Sequence, residues 1–300
     1  MVPWRPVLTA VHLRLPERRR GLIYATTAAL LWSSGGLFIK SLALSAFQIS
    51  GSRSLVAALA ILAVMRVRRQ PFKLELDPLS LACSVSYAGT LICFVTATKL
   101  TTAANAIFLQ YTAPIFLLFL EPWAFKLPFP RKDLWAVAAC MAGMALFFAG
   151  HLEPGGALGN LLGLASGFSL AMFSLLLKWK RGHQDRSPYG VVVLGNLLVA
   201  LTCLPMVLPL RLTPGQALAL LYLGVIQLGI SWMLFTAGMR YLSATAAMIT
   251  CMLEAVFNPV WVFLGIGERP SAFALLGGAV VLGVVAWYNL KKAAAPQPVD

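Results

Sequence analysis

The sequence predicts an all-α polytopic membrane protein of ten transmembrane helices, arranged as two inverted five-helix repeats with both termini in the cytoplasm. Three observations carry this. Of the 300 residues, 59% are hydrophobic and 11% charged, whereas a soluble chain carries roughly a quarter of its residues as charges. The few charges cut the chain into apolar stretches close to the ~20 residues that a spanning helix needs. The two halves also repeat at a nearly fixed offset. A soluble fold could not cover its surface with so little polarity, and a chain this apolar has ample surface to bury, which excludes disorder.

The spans follow in order. Leu22–Ile39 lies between Arg20 and Lys40, and Phe47–Met65 follows, interrupted only by Arg53. Leu79–Thr98 lies between Asp77 and Lys99, Leu100–Leu120 ends at Glu121, and Leu134–Leu152 lies between Asp133 and Glu153. Pro154–Leu177 runs to Lys178, and Ser187–Leu210 and Leu212–Met239 carry no charge. Tyr241–Gly267 is interrupted only by Glu254, and Pro270–Leu290 closes the set. Residues 1–20 form a basic cytoplasmic arm, 21–150 the first repeat, 154–290 the second, and 291–300 a cytoplasmic tail.

Orientation follows from lysine and arginine placement. With the amino terminus inside, 19 of the 24 basic residues fall on the cytoplasmic side, four (Lys40, Lys99, Arg211, Arg269) on the outer side, and Arg53 within the membrane. The net charge of +14 is therefore a positive-inside signature, and nucleic acid is not an expected partner. Arg18–Arg20, the first apolar run and Ala43-Leu44-Ser45-Ala46 have the outline of a cleavable signal. The run is long for a signal core, and its removal would break the repeat, so it is read as the first span. The five cysteines lie in apolar runs without a CxxC pair and read as small buried hydrophobes.

In the repeat, Gly21–Lys40 lies over Gly159–Lys178 at an offset of 138, and Lys99–Ala103 over Arg240–Ala244 at 141. The same register carries Leu127–Pro130 onto Glu268–Ser271. Five helices per half is an odd number, so the second half enters the membrane inverted, a signature of secondary transporters.

Leu31-Trp32-Ser33-Ser34 before Lys40, Arg53 early in the second span, Ala97–Thr101 leading to Ala103–Ala106, and Pro114 are the notable residues of the first half. Leu253–Phe257, Gly267-Glu268-Arg269 and Gly277-Gly278 are those of the second. With these in order over residues 21–290, the chain resembles the EamA family of the drug/metabolite transporter superfamily. Two departures stand out: Ala255 where family members often have proline after the glutamate (proline is displaced to Pro259), and Lys126-Leu127-Pro128 in place of the Gly-Glu-Arg link. The resemblance implies a central cavity between the repeats, export of amino acids or other small metabolites, and a bacterial inner-membrane location.

Glu254 is the most informative single residue. Thirteen residues separate it from Arg240 and from Glu268, which places it near mid-membrane, where a carboxyl is costly and a functional role is the first expectation. Thr250, Glu254 and Asn258 recur every four residues as one polar stripe, and the matching positions of the first half are Leu109, Ala113 and Leu117. Three roles stand open for Glu254: substrate contact, which is favoured, proton coupling, or a hydrogen bond holding a neighbouring helix. Arg53, about 9 Å inside the second span, can snorkel to the outer surface, and packing or anchoring is expected rather than substrate contact.

Further expected lining residues are Trp32 and Ser33, Tyr87, Asn105, Gln110 and Tyr111, Gln227 and Trp232, with Ser231 and Asn196 beside them. Polar atoms in lipid must find protein or water. Trp123, Trp135, Trp179 and Trp287 read as an interfacial belt, and Gly159, Gly163 and Gly167 as a close-packing ridge.

No Walker sequence, metal-ligand cluster or acid–base pair occurs, so no enzyme activity, cofactor or metal is expected. The expected function is a secondary transporter or facilitator of small polar or amphipathic metabolites. A membrane-embedded enzyme or a non-transporting scaffold is the alternative. The expected partners are a small-molecule substrate and the lipid bilayer, with monomer and homodimer both open. The aromatic residues favour an apolar or aromatic amino acid over a phosphorylated ligand.

Overall fold

The computed structural model describes residues 15–70, 72–147, 149, 156–183, 189–257, 261 and 271–294, and among these there is no strand. The first half contains α1 (Leu15–Trp32), α2 (Gly35–Ser41), α3 (Ala46–Val67), α4 (Pro78–Leu100), α5 (Ala103–Gln110), α6 (Ala113–Phe125) and α7 (Arg131–Phe147). The second contains α8 (Ala157–His183), α9 (Tyr189–Val207), α10 (Pro214–Tyr222), a π-helical stretch (Leu223–Ile230) and α11 (Ser231–Gly238). It closes with α12 (Ala244–Cys251), α13 (residues 253–257) and α14 (Ala272–Ala294).

Eight helices among the described residues are long and apolar enough to cross a membrane, and Ala244–Phe257 is a shorter apolar one.

Local chemistry sets the helix starts. Ser45 caps α3 and Thr213 caps α10, each with a glutamine reaching back to the cap amide, so two otherwise unpaired groups are satisfied at once. Asp77 caps α4 just before Pro78. Ser80 donates to Asp77 from both its hydroxyl and its amide, which holds that carboxyl below its ordinary value. Thr102 caps α5 and Ser243 caps α12 in the same way, through the amide three residues on.

Several spans differ from the sequence reading. The first is broken at Ser33–Ser34, the fourth at Tyr111–Thr112, and the ninth at Met252. Pro114 accounts for the break in the fourth, because it has no N–H for the Gln110 carbonyl and its ring clashes there. Leu100 belongs to α4, and the next helix starts at Ala103. Residues 15–20 are the first turns of α1, and Arg18 donates to the Asn289 carbonyl of α14 at 2.5 Å. Asn258, Pro259 and residues 262–270 lie outside the described residues.

Packing pairs the halves. α4 lies on α8 as α11 lies on α1, α3 touches the π stretch as α9 touches α4, and α5 lies on α8 as α12 lies on α1. The contacts of α3 with α9 and of α7 with α14 join equivalent elements of the two halves. Starts agree as well: α5 and α12 begin 141 residues apart, as do α7 and α14.

The outer surface is apolar, with Leu59, Val85, Leu161, Leu201, Leu218 and Leu276 all exposed. In a soluble protein this would be a severe liability; in a bilayer it is the required face. Trp123, Trp135 and Trp287 are also exposed, as interfacial tryptophans would be. Internal hydroxyls return to their own helices. Ser84, Thr98 and Thr236 each donate to the carbonyl four residues back, which removes the cost of an unpaired group in an apolar setting.

Glycine ridges bring backbones together. A Cβ on Gly167 would lie 2.6 Å from Thr112 Oγ1 and 2.9 Å from the Gln110 carbonyl, so α8 sits directly on the break between α5 and α6. Cys83, Cys140, Cys203 and Cys251 are buried free thiols.

Candidate functional site

A cavity lies between the helices, with about 480 Å³ of empty space between its walls, open solvent included. From the first half it is lined by Trp32, Arg53, Thr90, Leu91, Phe94, Gln110 and Tyr111. Leu170, Gln227, Leu228, Trp232, Met248, Cys251 and Glu254 come from the second. Each half supplies seven residues, so neither half alone forms it.

Of the residues expected at a site, Trp32, Gln110, Tyr111, Gln227, Trp232 and Glu254 come together here. Tyr87 stands behind the wall, edge-on to Trp232 at 4.6 Å, and accepts a hydrogen bond from Asn196 at 2.9 Å. Ser33 donates to the Leu30 carbonyl and accepts from Trp261 at 2.6 Å. Asn105 bonds Thr101 and Asn160 near the start of α5. Ser231 donates to the Gln227 carbonyl.

The polar stripe on the ninth span is split. Thr250 accepts from Asn289 of α14 at 3.2 Å and does not line the cavity, whereas Glu254 does. The turn at Met252 changes the register between them, so four-residue spacing no longer means one face. The third member of the stripe, Asn258, lies outside the described residues.

Arg53 packs inside the bundle and does not anchor at the outer surface. Its side chain is 1% exposed and turns inward, donating to Gln227 Oε1 at 3.3 Å. Its Nε and the indole Nε1 of Trp32 are buried without a hydrogen-bond partner. Among the described residues, one neutral amide holds the guanidinium, and the same cavity presents an unused indole donor, so the wall has donors to offer an acceptor-rich group. Gln227 reaches the cavity from the π-helical stretch, an irregularity that recurs at functional sites and that hydropathy does not reveal.

The apolar wall is aromatic. Trp32 and Trp232 have ring centroids 4.8 Å apart, and Phe173 and Phe235 pack on Trp232 at 5.3 and 5.5 Å. Opposed edges and faces fix these rings. Gln110 donates to Ser166 at 2.9 Å, and Ser166 to the Thr90 carbonyl at 3.0 Å. The Tyr111 hydroxyl lies 2.6 Å from the Cys251 carbonyl and 2.5 Å from Glu254 Oε2, hydrogen-bonded to both. It ties the break in the fourth span to the break in the ninth.

The sequence reading did not anticipate Glu121. It is buried near the end of α6, pairs with Lys178 at 2.5 Å, and accepts from the amides of Ala244 and Thr245 and the Thr245 hydroxyl. A carboxylate on the first amides of α12 complements the helix dipole. The only hint in sequence is a charge just inside the end of an apolar run. Nearby, Lys180 pairs with Glu75 and bonds Ser80, and Arg181 donates to the Thr236 carbonyl.

A helical membrane bundle with an apolar exterior and a polar, aromatic-walled cavity shared by two equivalent halves has the architecture of a membrane transporter. The chain belongs to the EamA-like transporter family, whose model matches residues 19–149 and again 157–290. Two uncharacterized transporters of Archaeoglobus fulgidus are similar to it. One is 26% identical over 66% of this chain and 72% of its own length, the other 25% identical over 85% and 92%. A solved crystal structure shares the fold, with a TM-score of 0.79 over 93% of this chain and 100% of its own, at 17% identity.

Proposed function

We propose that the chain is a secondary transporter or facilitator that exports small metabolites, amino acids or related compounds, by alternating access through the cavity between its halves. In this reading the ten spans form two inverted five-helix repeats in a bacterial inner membrane, with both termini cytoplasmic.

The observation that carries it is the shared cavity, with seven lining residues from each half. Two similar halves meeting at one site can exchange conformations and expose it to either side in turn. Within it, Arg53 and the Trp32 indole offer donors for a carboxylate. The rings of Trp32, Trp232 and Phe94 offer apolar and cation-attracting faces, and Glu254 and Gln110 offer oxygens for amino or hydroxyl groups. A single guanidinium and no second cation among the described lining residues favour a carboxylate over a phosphate, which recruits several.

The test is counterflow and efflux in proteoliposomes loaded with a mixed pool of amino acids and related metabolites. We expect saturable flux of at least one aromatic or apolar amino acid. We also expect Arg53→Met to lower its apparent affinity by roughly tenfold or more, the loss of one charge-assisted hydrogen bond of ~1.5–3 kcal/mol. No flux across the panel by folded protein would overturn the reading.

A further inference from the structure

We propose that Glu254 carries a bound proton in this conformation, and that Tyr111 links that proton to the break in the ninth span. The inference rests on the transporter reading only for its use; the proton itself is argued from the hydrogen count.

Three oxygens meet at Tyr111. Its hydroxyl lies 2.6 Å from the Cys251 carbonyl and 2.5 Å from Glu254 Oε2. Both separations belong to O–H···O hydrogen bonds, and each requires a hydrogen between the oxygens. A phenol supplies one and a peptide carbonyl none. If Tyr111 donates to Cys251, an ionised Glu254 would press a bare oxygen against the phenol oxygen. If it donates to Glu254, the Cys251 carbonyl would do the same. All three residues are buried, so an acceptor left unpaired in either arrangement is costly. A neutral Glu254 resolves both: its carboxyl hydrogen goes to the Tyr111 oxygen, and the Tyr111 hydrogen to the Cys251 carbonyl.

The surrounding charges agree. Among the described lining residues, the titratable or charged groups that share the cavity with Glu254 are Tyr111 from the α5–α6 junction, Cys251 from α12 and Arg53 from α3. The remaining helices present Trp32, Thr90, Phe94, Gln110, Leu170, Gln227 and Trp232, none of which titrates. Arg53 is held by the neutral Gln227 amide, and the Tyr111 phenol stands on Glu254 in its place.

The Cys251 carbonyl gives the proton a mechanical consequence. In a continuous helix it would accept from the amide of Ala255, but that amide bonds the Met252 carbonyl instead, at 3.2 Å. Tyr111 is what satisfies the opened carbonyl. When Glu254 loses its proton to water, the carboxylate claims the Tyr111 hydrogen, and the Cys251 carbonyl is left without a donor in an apolar wall. The break must then close, move or admit water. Proton release and the shape of the ninth span are thereby one two-state element, which a proton gradient can bias.

Difference infrared spectra of reconstituted, substrate-free protein, wild type against E254Q, test the first part. We expect a protonated-carboxyl C=O band at pH 7 that shifts in D₂O and changes frequency in Y111F. Carboxylate bands alone at pH 7, in folded protein, would overturn it. Hydrogen exchange over residues 249–256 tests the second. Raising the pH until the carboxyl band disappears should lower the protection of these amides, with the intrinsic pH dependence of exchange divided out, several-fold in wild type but not in E254Q, whose amide keeps donating to Tyr111. A carboxyl band that titrates with no change in protection would overturn the link. Neither readout needs substrate, so failure here is separable from an absence of flux in the transport panel.

Discussion

At Gly35 the cavity is one methyl group away from losing its polar alignment. A Cβ there would lie 2.5 Å from Gln227 Nε2, and Gln227 is the partner of Arg53. The amide is the end of a flexible side chain, so Gly35→Ala should fold normally while pushing Gln227 off the guanidinium. We expect an unchanged thermal midpoint and a roughly fivefold rise in transport KM, the worth of one hydrogen bond of ~1 kcal/mol. Gly215→Ala, which meets open space, should leave both unchanged. Glu254 was legible in the sequence because a lone carboxyl in an apolar run has few bland explanations. Packing and anchoring of Arg53 could not be told apart, because depth alone does not say whether a long side chain turns out to the interface or in to a cavity, and the Gln227 carboxamide that turns it inward is 174 residues away.

Among the elements, the broken spans matter most. Pro114 explains the break in the fourth, and its counterpart in the ninth, 141 residues on, is Ala255. The ninth breaks without proline because Tyr111 takes the Cys251 carbonyl that the helix gives up. Sequence periodicity could not show this, and it therefore joined Thr250 and Glu254 into one stripe. The pairing of α7 with α14 depends on backbone contact: a Cβ on Gly277 would lie 2.4 Å from the Gly143 carbonyl and 2.4 Å from the Phe147 amide. Backbone cannot step aside as a side chain can. Gly277→Ala should therefore cost about 2 kcal/mol or more by overpacking, read as a clear fall in thermal midpoint in detergent. Gly283→Ala, on the same helix with nothing near it, should not lower it.

For the whole molecule, the proposed topology predicts sidedness. Arg69 follows α3 and Arg211 precedes α10, and both are exposed. In right-side-out membrane vesicles, Arg211→Cys should react with an impermeant thiol reagent added outside, and Arg69→Cys only after the membrane is opened. The reverse pattern would invert the topology. The apolar exterior, the all-helical class and the apolar spans that the structure describes, eight and one shorter, were legible in sequence, because they are set by hydropathy and charge placement along one chain. Membership of the EamA-like family followed from the same local signals in order. The tertiary structure alone decided where the helices break, which way Arg53 faces, that Glu121 closes on Lys178 and the start of α12, and which six of the expected residues share a cavity. Each of these depends on a partner more than fifty residues away or on backbone turning at one position. A hydrophobic pattern records how strongly a residue is buried, not which neighbour it meets there.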